Sequence, residues 1–154
     1  MKRAFIEHDF PVKEVSEHSA REKNIRHGNI STLHIWWARR PLAASRATIY
    51  ASLVPKPKDE KEREERSKFI DELSKWENSN DKELIKKARQ DILDANDGVP
   101  PKVLDPFSGG GAIPLEALRL GCETYASDLN PVAVLIEKAT LGYPQKDGPL
   151  ISRK

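Results

Sequence analysis

"KVLDPFSGGGAIPLEALRLGCETYASDLNPVAVLIEKATLG", residues 102–142, is the stretch that decides the fold. It reads strand, glycine loop, helix, strand, turn, helix. Val103-Leu104 is the short apolar run expected of a buried parallel strand, and it ends in Asp105. The segment Asp105-Pro106-Phe107-Ser108-Gly109-Gly110-Gly111 then has the form D-x-x-x-G-x-G. Glycines let the backbone turn sharply and approach a ligand that side chains would keep away. A second strand, "ETYAS", leads to Asp128-Leu129-Asn130-Pro131, with Pro131 placed to open the next helix. The βαβα order is the opening of a parallel-sheet α/β domain. Its ligand would lie beyond the carboxyl ends of the strands.

The ligand class follows from what the loop has and lacks. A dinucleotide loop has the form G-x-G-x-x-G, and here Pro114 stands at the third glycine's position. A P-loop ends in G-K-[ST], which does not occur in this sequence. Asp128 follows Asp105 by 23 residues, at the end of the second strand. An acid there is placed to accept hydrogen bonds from ribose hydroxyls. Leu115, Leu118 and Leu120 read as core, and Cys122 as a small buried residue rather than a nucleophile, with no activating neighbour in sequence.

Upstream, residues 1–54 are expected to form an N-terminal region. It begins irregularly, broken at Pro11, with a short helix capped by Ser16 and ended by Gly28. "STLHIWW", residues 31–37, alternates like a short strand. "ARRP" follows, and Pro41 fits the first turn of a helix with Leu42, Ile49, Tyr50 and Leu53 on one face. Residues 55–98 read as a charged helical hairpin. Phe69, Ile70, Leu73 and Trp76 form one apolar face, and Leu84, Ile85, Ala88 and Ile92 the other. Asn80 with Glu83 resembles a capping box. Its dense mixed charge is a solvated face with i,i+4 pairs. Residues 99–154 begin the α/β domain, and "YPQKDGPLISRK" at the end reads as loop.

Composition bounds the function. The chain has 154 residues, 32% of them charged, and a formal net charge of +2. One cysteine excludes a disulfide framework and a cysteine-based zinc site within these residues. No apolar run reaches membrane-spanning length and no secretory leader is visible, so a reducing, cytoplasmic setting is expected. Residues 1–55 carry nine Lys/Arg against five Asp/Glu and hold all four histidines, whereas the remainder is balanced or slightly acidic. That asymmetry suits a nucleic-acid-facing end, and equally a solvated basic face.

An acid at each strand end with a glycine loop between them resembles the S-adenosylmethionine site of Rossmann-like methyltransferases. "LDPFSGGGAIPLEA" and "SDLNP" are similar to their first and second motifs. The resemblance implies that Asp105, Pro106, Phe107, Ser108, Gly109, Gly110 and Gly111 cradle the methionine and ribose part. Asp128 would hold the ribose, and Leu129 and Asn130 would border the adenine. Amino-methyltransferases acting on DNA often carry a basic-proline segment and helix that wall the pocket. "WWARRPLAASRATIYASLV" is similar, which implies Arg40 and Pro41 at the pocket and one of Trp36 and Trp37 in the core. An arginine there can meet the cofactor carboxylate.

Together, "EHSAREKNIRHGNISTLHIWWARRPLAASRA" and "LDPFSGGGAIPLEALRLGCETYASDLNPVAV" resemble the N-terminal part of large, poorly characterised adenine-specific DNA methylases with a downstream zinc ribbon. The resemblance implies a partial Rossmann-like sheet, cofactor-dependent methyl transfer and DNA as the partner, with the charged hairpin as an insertion. Adenine-N6 transfer needs a [DNS]-P-P-[YFW] element to hold a flipped base. None occurs here: "VPPK" lacks both the polar residue and the aromatic. No catalytic residue is therefore assigned. The expectation is an N-terminal portion, inactive alone, completed by a missing C-terminal half or by self-association through open sheet edges. Two further classes stay open on these residues: an RNA guanine-N2 methyltransferase fragment with a similar loop, and a non-enzymatic remnant that binds nucleic acid or a partner.

Overall fold

The computed structural model describes residues 3–25 and 34–151, with side chains through 148. The chain is mixed α/β: seven helices and one small parallel sheet among the described residues. Helices α1 (Val12–Glu22), α2 (Leu42–Leu53), α3 (Glu60–Ser74) and α4 (Lys82–Ala95) precede strand β1 (Lys102–Asp105). Helix α5 (Ala112–Arg119), strand β2 (Glu123–Ala126), α6 (Pro131–Glu137) and α7 (Tyr143–Ile151) follow. No helix among the described residues is long and apolar enough to cross a membrane.

Several sequence expectations shift. Pro11 opens α1 instead of breaking it: a proline ahead of the first turn forfeits no helical hydrogen bond. Ser16 therefore lies inside the helix, and Gly28 lies outside the described residues. Of the expected strand, residues 31–33 lie outside the described residues, and His34 to Trp37 run irregularly from a bend at His34 into a turn at Trp37. The capping residue of α4 is Asp81, not Asn80; its carboxylate accepts from the N–H groups of Glu83 and Leu84, both at 3.0 Å. The tail read as loop is α7. It runs on from α6 through a π-helical turn at Lys138–Gly142, so it needs no nucleus of its own, and Pro144 falls in its first turn.

The core joins the N-terminal helices to the glycine-loop helix. Phe5, Val15, Ala47, Tyr50, Ile70, Leu73, Ala88 and Ile92 are buried together with Ala117, Leu120 and Cys122. Leu115 and Leu118 are only half-buried. Helix α2 is the centre of this core, packed by α1, α3 and α5.

Within the core lies one buried ion pair. The Arg46 Nε donates to Glu116 Oε2 at 2.7 Å, and both side chains are fully buried. Arg46 also donates to the Leu73 carbonyl at 2.8 Å and to the Ser79 hydroxyl at 3.2 Å. The other oxygen of Glu116 accepts from Arg119 at 2.7 Å. One guanidinium thus ties α2 to the end of α3, to the turn before α4, and to α5. A buried charge stripped of its partner is strongly unfavourable, because neither water nor another ion replaces it.

β1 and β2 pair in parallel with Leu104 opposite Tyr125 and Asp105 opposite Ala126. The buried-strand expectation fails on one side: Val103 packs against the core, but Leu104 is 67% exposed and Tyr125 47%. Among the described residues the sheet has two strands, so one face and both edges are uncovered.

Glu116→Ala is expected to lower the unfolding free energy by about 3–5 kcal/mol in urea titration, since it strands Arg46 in the core. Arg46→Met combined with Glu116→Leu should cost less than either single change. A double variant as damaged as the sum of the singles would contradict this.

Candidate functional site

The carboxyl ends of β1 and β2 carry the glycine loop and are sewn together by it. The Ser108 N–H and hydroxyl both donate to the Ser127 carbonyl, at 3.1 and 2.9 Å. The Gly109 N–H donates to Asp128 Oδ2 at 2.9 Å. Asp128 Oδ1 accepts from the Asn130 N–H at 2.8 Å, and Asn130 in turn caps α6 by accepting from the Val132 N–H at 2.9 Å. These backbone donors hold the Asp128 carboxyl below the usual carboxylate range. Asp105 accepts from the Phe107 N–H at 3.2 Å. Asp105 and Asp128 are half-buried, while Pro106, Phe107 and Leu129 are exposed.

Opposite the loop stands the turn Trp36–Arg39, closed by the Arg39 N–H donating to the Trp36 carbonyl at 3.1 Å. A turn of this kind brings its first and fourth residues to one side. Trp36 and Arg39 accordingly face the glycines. Gly109 has φ +52°, and a Cβ on it would come within 2.6 Å of the Trp36 indole nitrogen. A Cβ on Gly110 would meet the Arg39 guanidinium at 3.1 Å. Gly109 is constrained both by its φ and by the Trp36 ring, and at Gly110 any side chain would have to displace Trp36 or Arg39 slightly.

Helix α1 supplies a further support. Pro41 has no side-chain cap to offer the N-terminus of α2. Glu22, buried, fills that role from a distance: its two carboxylate oxygens accept from the N–H groups of Leu42 and Ala43 at 3.0 and 2.9 Å. This fixes where α2 begins, and so where the preceding turn lies.

A cleft of about 400 Å³ lies between turn and loop. Trp36, Trp37, Arg39, Arg40, Asp105, Phe107 and Asp128 are among its lining residues. Of the residues expected at the site, Asp105, Phe107, Ser108, Gly109, Gly110, Asp128 and Arg40 line it. Pro41, Pro106, Gly111, Leu129 and Asn130 do not. Pro41 leads into α2, Gly111 caps α5 in a left-handed conformation, and Asn130 is committed to capping α6. Neither Trp36 nor Trp37 joins the core: Trp36 is half-buried on the loop, and Trp37 is 80% exposed.

Sequence reading placed Arg40 at the pocket and gave Arg39 no separate role. The side chain that turns inward is Arg39. Its three guanidinium nitrogens are buried and lack a hydrogen-bond partner among the described residues. Burial pushes this group below its ordinary value, while the nearby Glu22 carboxylate works the other way. Buried donors are nearly always satisfied, so an orphaned guanidinium beside a cleft marks a place for an acceptor. No local sequence signal distinguishes Arg39 from Arg40; the turn does. Glu137 lies beneath the loop with Oε1 unpartnered among the described residues; burial pushes its carboxyl up, opposed by the Ser108 hydroxyl and reinforced by Asp128 and Asp105. No cluster of metal-ligating side chains occurs among the described residues.

Residues 9–79 match the model of a family described as "Protein of unknown function (DUF1156)". That stretch, just under half the chain, contains Glu22, the Trp36–Arg40 wall and Arg46; the glycine loop lies beyond it. No curated protein and no solved structure matches the chain.

Gly109→Ala should expel Trp36 from the loop, seen as a red shift in tryptophan emission with near-native helicity. Unchanged emission would contradict the contact. Glu137→Gln should raise the urea midpoint at pH 7, because burial and the neighbouring aspartates make the ionised native carboxylate costly. A raised carboxyl pKa means that the folded state gains a proton as pH falls. The advantage of the variant should therefore shrink as pH drops through that raised value and vanish near pH 4, about the ordinary glutamate pKa.

Proposed function

We propose that the chain is the S-adenosylmethionine-binding portion of a nucleic-acid methyltransferase, with a Rossmann-like sheet begun by β1 and β2 and DNA adenine as the target. The supporting observation is the cleft itself. A cationic wall with an orphaned guanidinium, Arg39, faces a glycine loop bracketed by Asp105 and Asp128 at the ends of adjacent parallel strands.

The donor set suits an amino-acid–nucleoside conjugate. A carboxylate would satisfy Arg39 by a charge-assisted bond. Asp128 keeps lone pairs beyond the two backbone bonds that orient it, and these accept ribose hydroxyls. Gly109 and Gly110 let the ligand approach the backbone. The cleft volume falls within the range of small-molecule sites. A phosphate-bearing dinucleotide suits the site less well, since Pro114 stands where a dinucleotide loop has its third glycine.

When bound, the cofactor supplies an electrophilic methyl group. These residues hold and orient it; the cation anchors one end and the acids the other. The sequence holds no [DNS]-P-P-[YFW] pattern, so cofactor binding, and not methyl transfer, is assigned to these 154 residues. The cytoplasmic setting belongs to the same proposal.

Calorimetry with S-adenosylmethionine should give saturable one-to-one binding by the purified chain. Arg39→Ala should weaken it about tenfold or more, as expected for a lost charge-assisted hydrogen bond, and Arg40→Ala less. A folded chain that binds no cofactor would refute the proposal.

A further inference from the structure

The Trp36–Arg39 turn sorts its side chains by direction. Trp36 and Arg39 press on the glycine loop, whereas Trp37 at the corner and Arg40 just beyond it face outward. The two indoles are stacked, with centroids 4.5 Å apart and planes 18° from parallel. One face of Trp37 thus lies against Trp36, while the residue remains 80% exposed at the rim of the cleft. Leaving so large an apolar ring in water is unfavourable, and nothing among the described residues covers it. Phe107, across the same cleft, is also 80% exposed.

Charge narrows what would cover it. No Asp or Glu occurs between Glu22 and Asp59, so the segment carrying the turn has no acid of its own. Arg40 is exposed and makes no ion pair among the described residues. The carboxylates of the cleft, Asp105 and Asp128, belong to the opposite wall. An exposed aromatic face, with a guanidinium beside it that has no ion-pair partner among the described residues, suits a planar ring linked to an anion. A nucleotide within a duplex is stacked on both faces and offers no such ring, whereas an unpaired one does.

We propose that Trp37 is a stacking platform for an unpaired nucleobase at the mouth of the cleft, with Arg40 taking the adjoining phosphate. The assignment rests on reading the cleft as a nucleic-acid methyltransferase site and specifies the form of substrate that enters it. The two arginines then divide the work, Arg39 for the cofactor and Arg40 for the strand.

The test is fluorescence anisotropy of the purified chain with a labelled single-stranded DNA oligonucleotide and with the same sequence as duplex, alongside quenching of tryptophan emission by the unlabelled strand. Single-stranded DNA should bind more tightly than duplex and quench emission. Trp37→Ala should weaken single-strand binding about tenfold or more, in line with the loss of one base-stacking contact. Trp37→Phe should restore most of it, and Arg40→Ala should reduce both affinity and its salt dependence. Equal binding of duplex and single strand, unchanged affinity in Trp37→Ala, or no oligonucleotide binding at all would each overturn the platform. So would Trp37-dependent self-association without oligonucleotide binding, which would make the ring a contact between copies. Calorimetry with S-adenosylmethionine on the unaltered chain separates the two claims. A chain that stacks DNA on Trp37 but binds no cofactor loses the methyltransferase reading alone. One that binds cofactor but is indifferent to Trp37→Ala loses the platform alone.

Discussion

The Arg46–Glu116 pair is the constraint on which the rest of the architecture depends. It joins two residues 70 positions apart, one on the helix that follows the Trp36–Arg40 turn, the other on the helix that follows the glycine loop. Each helix carries one wall of the cleft at its N-terminal end. Fixing α2 against α5 therefore fixes the gap between the walls. The geometry of the pair is demanding: Arg46 spends its donors on a carboxylate, a carbonyl and a hydroxyl, each from a different element. A buried charge satisfied in only one arrangement specifies that arrangement, and slippage of α2 along α5 would leave it unpaired.

The cleft inherits a polarity from this packing. One wall comes from a stretch rich in arginine and free of acids, the other from two strand ends, with Asp105 closing β1 and Asp128 just beyond β2. Glu22 holds the start of α2 from one side and Asp128 holds the loop from the other, both by accepting backbone N–H bonds. The carboxylates around the site are thus mainly structural in the free protein, and among the described residues the buried group without a partner on the cationic wall is Arg39. Ligand recognition falls to that group.

Much of the α/β part was legible from local pattern. Asp105, the glycine loop and Asp128 sit where strand ends and turn residues put them, because loop and strand preferences are set within a few residues. Helices α3 and α4 were also legible from their apolar spacing, although each packs on α2. What escaped depended on distant partners. Nothing around Glu22 announces a cap for a helix that starts 20 residues later, and nothing around Arg46 announces Glu116. Arg39 and Arg40 are chemically identical neighbours, and only the closure of the turn turns one in and the other out. Helix α7 was missed because Pro144 and Gly148 read as loop residues, whereas continuation from α6 lowers the cost of helix there. Leu104 misled in the other direction: its apolar character implied burial on a sheet face that is open.

The central claim is that turn and loop form one ligand site. The most direct measurement is a ¹⁵N-edited titration with S-adenosylhomocysteine, following the backbone amides of residues 36–40 and 105–111 and the Arg39 side-chain N–H. Both segments and the Arg39 Nε–H should shift together along one binding curve. Shifts in the glycine loop alone, with the Trp36–Arg40 segment and Arg39 unmoved, or no shifts at all, would contradict it.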